Sequence, residues 1–141
     1  MSAEPGVEHP SRHGPSGGEI SSDDRTWGIL AHAAAFAGFV VPLGNVLGPL
    51  LVWAIKKDES PFAAENGRRA VNFQITWLIL GVVGVAALYV ATVVGLWAVP
   101  PFFELLLLAW LVLPLVLVVV AIIRVSDGEV YDYPVALDIV S

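Results

Sequence analysis

The chain alternates between long apolar stretches and short charged ones. Asp, Glu, Lys and Arg are absent from three stretches, residues 26–55, 70–103 and 105–123. A transmembrane helix needs about 20 such residues, and the bilayer core contains no water to solvate charge. We therefore expect an all-α integral membrane protein. The pattern predicts four helices, at about residues 27–41, 46–57, 70–97 and 102–123.

The basic residues predict how these helices are oriented. Lys56, Lys57, Arg68 and Arg69 lie between helices two and three, and Arg124 follows helix four. Cytoplasmic loops carry an excess of Lys and Arg. We therefore expect a four-helix bundle with both termini cytoplasmic, because all five residues then lie on one side. The uncharged turns at residues 42–45 and 98–101 lie on the opposite side. Such a cluster also suits anionic lipid headgroups.

Helix two is the least regular of the four. Gly48 and Pro49 suit a helix start, because proline at the first helical position lacks only an N–H that would be unpaired there. From Pro49 to Lys57 a helix is only about 14 Å long, against roughly 30 Å of bilayer core. Helices one and two are therefore either thin, tilted spans or a re-entrant hairpin. The candidate helix-break and turn residues are Pro42, Asn45, Gly48 and Pro49.

Three further segments complete the predicted organisation. Residues 1–24 are rich in Pro, Gly and Ser without apolar periodicity, so we expect a disordered acidic tail. Residues 25–125 form the membrane domain. Within it, Ser60-Pro61 predicts the start of a short interfacial helix over residues 61–69. Residues 126–141 form a cytoplasmic C-terminal tail.

A few polar side chains interrupt the apolar stretches. His32, Asn72 and Gln74 each lie three to five residues beyond a predicted interface, roughly 5–8 Å into the membrane at 1.5 Å per residue. They can therefore meet in one polar layer. One interpretation is hydrogen bonding between helices, and the other is a water-filled vestibule, because intramembrane polar groups often mark pathways.

Composition narrows the classes of function. The 141 residues suit one domain, and Cys is absent, which excludes thiolate chemistry and disulfides. The net charge of −6 disfavours a nucleic-acid partner, since binding phosphates needs a basic face. Neither a paired-carboxylate spacing nor a nucleophile motif is recognisable. We expect no enzyme activity, no metal site and no cofactor.

Several short motifs together resemble a known family. They are Trp27, His32-Ala33, Pro42, Gly48-Pro49-Leu50-Leu51-Val52-Trp53, Lys56-Lys57-Asp58, Asn66-Gly67, Ala70-Val71-Asn72-Phe73-Gln74-Ile75 and Gly128-Glu129-Val130-Tyr131-Asp132-Tyr133-Pro134. This set resembles the Tic-twenty-like membrane proteins, prokaryotic relatives of a chloroplast inner-envelope import component. The resemblance implies a four-helix membrane protein, and the chloroplast relatives are implicated in protein translocation.

Two functions remain open at this point. The first is a translocation or channel-like component, which the resemblance and the broken second helix favour. The second is a non-transporting scaffold or partner-binding subunit, which the small residues along helices one and three favour. Either would be a multi-pass protein of a prokaryotic cell membrane. Its expected partners are the lipid bilayer and either further copies of itself or another membrane protein.

Overall fold

The computed structural model describes residues 19–94 and 100–141. Within these ranges the chain is helical and forms no strand. A six-residue 3₁₀ helix, Ala34–Phe39, directly follows the first α-helix. The α-helices are α1 (Ser22–Ala33), α2 (Gly44–Lys56), α3 (Pro61–Val93) and α4 (Pro100–Ser126).

Helix α1 begins earlier than its apolar residues predict. Ser21 accepts a hydrogen bond from the Asp24 backbone N–H at 3.0 Å, and the Asp24 carboxylate accepts one from the Ser21 backbone at 3.3 Å. This reciprocal capping satisfies N–H groups that have no partner inside the helix. Residues 22–24 are therefore helical rather than part of the predicted tail. Residues 1–18 of that tail lie outside the described ranges.

Helices α1 and α2 form an antiparallel hairpin, and the 3₁₀ helix that continues α1 makes very close backbone contact with α2. A Cβ added to Gly48 would lie 2.2 Å from the Ala34 carbonyl oxygen, and one added to Gly44 would lie 2.5 Å from that of Ala37. Only glycine permits this approach. Leu43 in the connecting turn adopts a left-handed backbone conformation (φ 60°).

One prediction about this hairpin is wrong. Pro49 lies in the interior of α2 and not at its first position, because α2 begins five residues earlier, at Gly44. The turn that precedes α2 lies beside α3. Asn45 donates a hydrogen bond to Gln74 at 3.1 Å, and Gln74 is only five residues, about 8 Å, from Arg69 along α3. The turn therefore lies within about two helical turns of Arg69 along α3.

Helix α3 is continuous across the predicted boundary at residue 70. Pro61 occupies the first turn, and Ser60 caps it by accepting a bond from the Ala63 N–H at 3.2 Å. The separate interfacial helix over residues 61–69 is therefore the beginning of α3. Gly67 admits the close approach of α2, since a Cβ there would lie 2.9 Å from the Trp53 Cβ. Predicted helix residues 95–97 lie outside the described ranges.

Helices α3 and α4 are both long and apolar enough to cross a membrane. Only 6% of the most apolar window of α3 and 11% of that of α4 is buried. Core helices of soluble proteins are mostly buried, so these exposed apolar surfaces fit lipid contact better. The distal half of α3, beyond Trp77, and the first half of α4 carry most of this surface.

The packed part of the molecule lies at the basic end. Its core joins the 3₁₀ helix, α3, α4 and the residues after α4, through Ala35, Phe73, Val118, Ala121 and Tyr133. Arg25 ties α1 to the end of α4 by donating to the Ser126 carbonyl at 3.2 Å. The architecture is a compact helical end from which the apolar α3 and α4 extend.

Candidate functional site

A buried polar layer lies within the compact end. It comprises five side chains that are each at most 5% exposed: His32, Asn66, Asn72, Gln74 and Thr76. Four of the five lie on the first half of α3, and His32 comes from α1. Buried polar groups are costly unless they are hydrogen-bonded, so their partners determine what this layer can do.

His32 is held between two elements. Its Nδ1 lies 2.9 Å from the Tyr133 hydroxyl, and its Nε2 lies 3.2 Å from Asn66 Oδ1. Asn66 in turn donates to the Phe62 carbonyl at 3.0 Å. Both ring nitrogens of the fully buried imidazole are therefore engaged inside the protein.

The residues that follow α4 return and bind the polar layer. We call residues 128–141 the C-terminal segment. Asn72 Oδ1 accepts bonds from the N–H groups of Ile139 at 3.2 Å and Val140 at 2.7 Å. Asn72 Nδ2 donates to the Val140 carbonyl at 3.0 Å. One side-chain amide thus supplies the hydrogen bonds that a neighbouring strand would supply.

Further bonds join the C-terminal segment to Thr76, farther along α3, and to Arg68 and Arg69, nearer the start of α3. Thr76 Oγ1 accepts from the Leu137 N–H at 2.8 Å while donating to the Asn72 carbonyl at 2.7 Å. Arg68 donates to Asp138 at 3.2 Å, and Arg69 pairs with Asp132. Charged and neutral hydrogen bonds therefore fasten the same segment.

Aromatic packing supports these bonds. The Tyr133 ring stacks on Phe73 with centroids 3.9 Å apart and planes 7° from parallel. Tyr131 meets Tyr133 edge-on at 4.9 Å. Such pairs add to the energy of apolar burial. The Tyr131-Asp132-Tyr133 motif therefore acts as an anchor: its two rings pack in the core, and its carboxylate pairs with Arg69.

The basic residues predicted to contact lipid headgroups have partners within the protein. Lys56 pairs with Glu59 and lies 4.6 Å above the Trp27 ring, and Lys57 lies 5.5 Å above the Trp53 ring. Arg124 pairs with Glu129 at 3.0 Å. The structure gathers these residues with Arg68 and Arg69 at one end of the molecule.

Glu65 links the two arginines of α3. Its Oε1 lies 2.8 Å from Arg68 Nη2 and 2.8 Å from Arg69 Nε. The hydrogen bond from Arg68, with a smaller effect from Arg69, lowers the pKa of Glu65 to about 2. The carboxylate therefore stays charged at neutral pH and orients both arginines toward the C-terminal segment.

The structure buries the three predicted layer residues but gives each a different partner. Among the hydrogen bonds of the described residues, none joins two of His32, Asn72 and Gln74. Sequence reasoning did not include Asn66 and Thr76 in this layer. Their helical spacing could have indicated that they belong to it, since positions 66, 69, 73 and 76 lie on one face of a helix.

The comparisons with known proteins assign the family. Residues 23–140 match the MamF/MmsF family, described as the magnetosome magnetite crystal formation protein family. No curated protein and no solved structure matches the chain. The resemblance to Tic-twenty-like proteins is therefore wrong, because the family match covers all the residues on which that resemblance rested and assigns them to a different family. The chain belongs to the MamF/MmsF family of magnetosome magnetite crystal formation proteins.

Proposed function

We propose that this protein is a non-transporting membrane scaffold, in which α3 and α4 anchor a compact end at the membrane surface. The observation that carries the proposal is the closure of the polar layer. Asn72 and Thr76, which a vestibule would expose to water, instead bind the backbone of the C-terminal segment. Because these polar groups bond to each other's elements within the protein, the layer favours a structural role over a water-filled pathway.

The proposed membrane placement follows from length and charge. Helix α3 from Ala70 to its end is about 36 Å long at 1.5 Å per residue, enough for a bilayer core of about 30 Å. The described basic residues gather at one end, and cytoplasmic surfaces are rich in Lys and Arg. We therefore place the compact end and both termini on the cytoplasmic side of a prokaryotic cell membrane. The α1–α2 hairpin enters that side only.

Partner binding is the scaffold's expected activity. Within residues 19–94 and 100–141, no three His, Asp or Glu side chains lie close enough together to hold a metal ion. The family description refers to magnetite crystal formation, and we propose that this chain would contribute to such a process by organising membrane proteins, with itself or another membrane protein as partner.

Cysteine accessibility in intact membranes tests the proposal, and the natural chain has no Cys. Ala31 and Ala70 are at most 1% exposed and flank the layer without bonding to it. Single substitutions Ala31→Cys and Ala70→Cys keep every polar partner in place. We expect both to resist a membrane-impermeant thiol reagent, because neighbouring side chains cover both positions.

Exposed positions provide the controls. Asp58→Cys at the basic end should be labelled from the cytoplasmic side, and Glu104→Cys near the start of α4 from the opposite side. If Ala31→Cys and Ala70→Cys were labelled at rates close to that of Asp58→Cys, the layer would be a wet vestibule, and the scaffold would be rejected in favour of a pathway. Labelling of both controls from one side would reject the proposed topology.

A further inference from the structure

A cleft beside the polar layer opens between the 3₁₀ helix, α3 and α4. Its volume is about 230 Å³, and aromatic and aliphatic side chains form most of its wall, notably Phe36, Trp77, Trp110 and Leu115. Trp77 and Trp110 stack with their ring centroids 4.3 Å apart, which makes one wall rigid and flat. Sites for small ligands are typically about 300–1,000 Å³, so this cleft suits only part of a molecule.

Two amide side chains form the polar part of the cleft. Gln74 is only 5% exposed and lines the cleft together with Asn45. The Asn45 amide donates to Gln74 Oε1 at 3.1 Å. Among the hydrogen bonds of the described residues, none uses Gln74 Nε2. Gln74 Nε2 is not among the buried side-chain atoms that lack a partner, so it is an accessible donor at the cleft wall. An amide N–H pairs with an acceptor oxygen, so the cleft is complementary to a carbonyl group.

Depth identifies which carbonyl can reach Gln74. Under the proposed membrane placement, Arg69 lies at the headgroups and Gln74 lies about 8 Å deeper along α3. The headgroup region is about 5–8 Å thick on each side of the hydrocarbon core. Gln74 therefore lies where headgroups give way to acyl chains, which is the level of the ester carbonyls of glycerolipids.

We propose that this cleft binds one acyl chain of an ester-linked membrane glycerolipid. The chain lies against Trp77 and Trp110, and its ester carbonyl accepts a hydrogen bond from Gln74 Nε2. The cleft volume suits a segment of a single chain, with the headgroup left outside near the basic end. The site is independent of the scaffold role but depends on the same membrane placement.

Lipid competition tests the proposal without any substitution. The full chain is equilibrated in micelles with equal amounts of diester and diether phosphatidylcholine of matched chain length, and retained lipid is quantified by native mass spectrometry. Ether lipids lack the carbonyl acceptor. We expect about one lipid per chain, with the diester form enriched about threefold, the effect of one typical hydrogen bond in a membrane protein.

Two variants separate the chain contact from the carbonyl contact. Gln74→Leu should retain lipid but lose the diester preference, and Leu115→Trp should reduce retention by filling the cleft. Thr92→Val, on the exposed part of α3, is the matched control and should behave as the unmodified protein. Absence of retained lipid, equal retention of the two lipid types, or a second copy of the chain bound in place of lipid would overturn the proposal.

Discussion

Single residues on α3 decide how the C-terminal segment is held. Asn72 is 2% exposed and makes three bonds to Ile139 and Val140. These partners are 67 and 68 positions away in the chain. The amide group has the two functions that this contact needs, an acceptor for N–H groups and a donor for a carbonyl.

Asn72→Ala should lower the free energy of unfolding by about 1–3 kcal/mol, because it removes these three bonds and leaves partly buried backbone groups of Ile139 and Val140 without partners. Equilibrium unfolding in detergent measures the change. Thr92→Val is the matched control, since Thr92 is exposed and donates only within its own helix, and we expect a change within about 0.5 kcal/mol. Equal effects of the two substitutions would show that the Asn72 contacts do not stabilise the fold.

Glu65 should make stability depend on acid pH. Its folded pKa of about 2 is below the ordinary value of 4.5. A lowered carboxyl pKa contributes stability that is complete above the unfolded value and is lost as pH falls through the folded one. We expect the midpoint temperature of thermal unfolding to decrease as the pH is lowered from 4.5 to 2.

The comparison of Glu65→Gln with Glu104→Gln isolates this contribution. The first substitution should flatten the acid part of the profile, because the remaining side chain cannot titrate. The second, at an exposed position on α4, should leave the profile unchanged. A Glu65→Gln protein with the same acid dependence as the unmodified chain would assign the effect to other carboxylates.

At the scale of elements, glycines set how closely the α1–α2 hairpin packs. Gly48→Ala should destabilise the fold by about 1–3 kcal/mol, because its Cβ would meet the Ala34 carbonyl at 2.2 Å and the backbone must shift. Gly84→Ala is the matched control on α3, where nothing lies within 4 Å. There we expect a gain of up to about 1 kcal/mol from helix propensity.

Thermal unfolding in one detergent compares the two glycine variants. Opposite signs are expected, since one substitution forces two backbones apart and the other removes only chain entropy from the unfolded state. A neutral Gly48→Ala would mean that the hairpin is looser than the structure describes.

The long helices were the most predictable elements. The absence of charge over 70–103 and 105–123 indicates α3 and α4 directly, because only length and apolar composition are needed. The start of α1 was less predictable, since its capping residues Ser21 and Asp24 precede the apolar stretch. The start of α2 depends on backbone contact with Ala34 and Ala37, which no local pattern reveals.

The candidate site was predictable only in part. Counting residues from the interfaces indicated that His32, Asn72 and Gln74 lie at similar depth. It did not indicate their partners, because these come from distant parts of the chain: Tyr133 is 101 positions from His32. Residues 126–141 carry no helical or strand periodicity, and side chains of α3 determine their path.

At the scale of the whole molecule, two regions differ in how they are stabilised. The compact end is held by buried polar bonds, aromatic stacking and ion pairs. The extended parts of α3 and α4 expose apolar side chains along most of their length. Lipid or another helix must cover these surfaces. The molecule therefore combines a closed polar layer at one end with apolar helices suited to a membrane.

Amide hydrogen exchange of the full chain in lipid nanodiscs tests whether the C-terminal segment closes the polar layer. The N–H groups of Leu137, Ile139 and Val140 bond to Thr76 and Asn72. We predict slow exchange at these three amides, and Asn72→Ala should release the last two while leaving Leu137 slow. Exchange of all three at the rate of an unstructured peptide would show that the C-terminal segment does not close the layer.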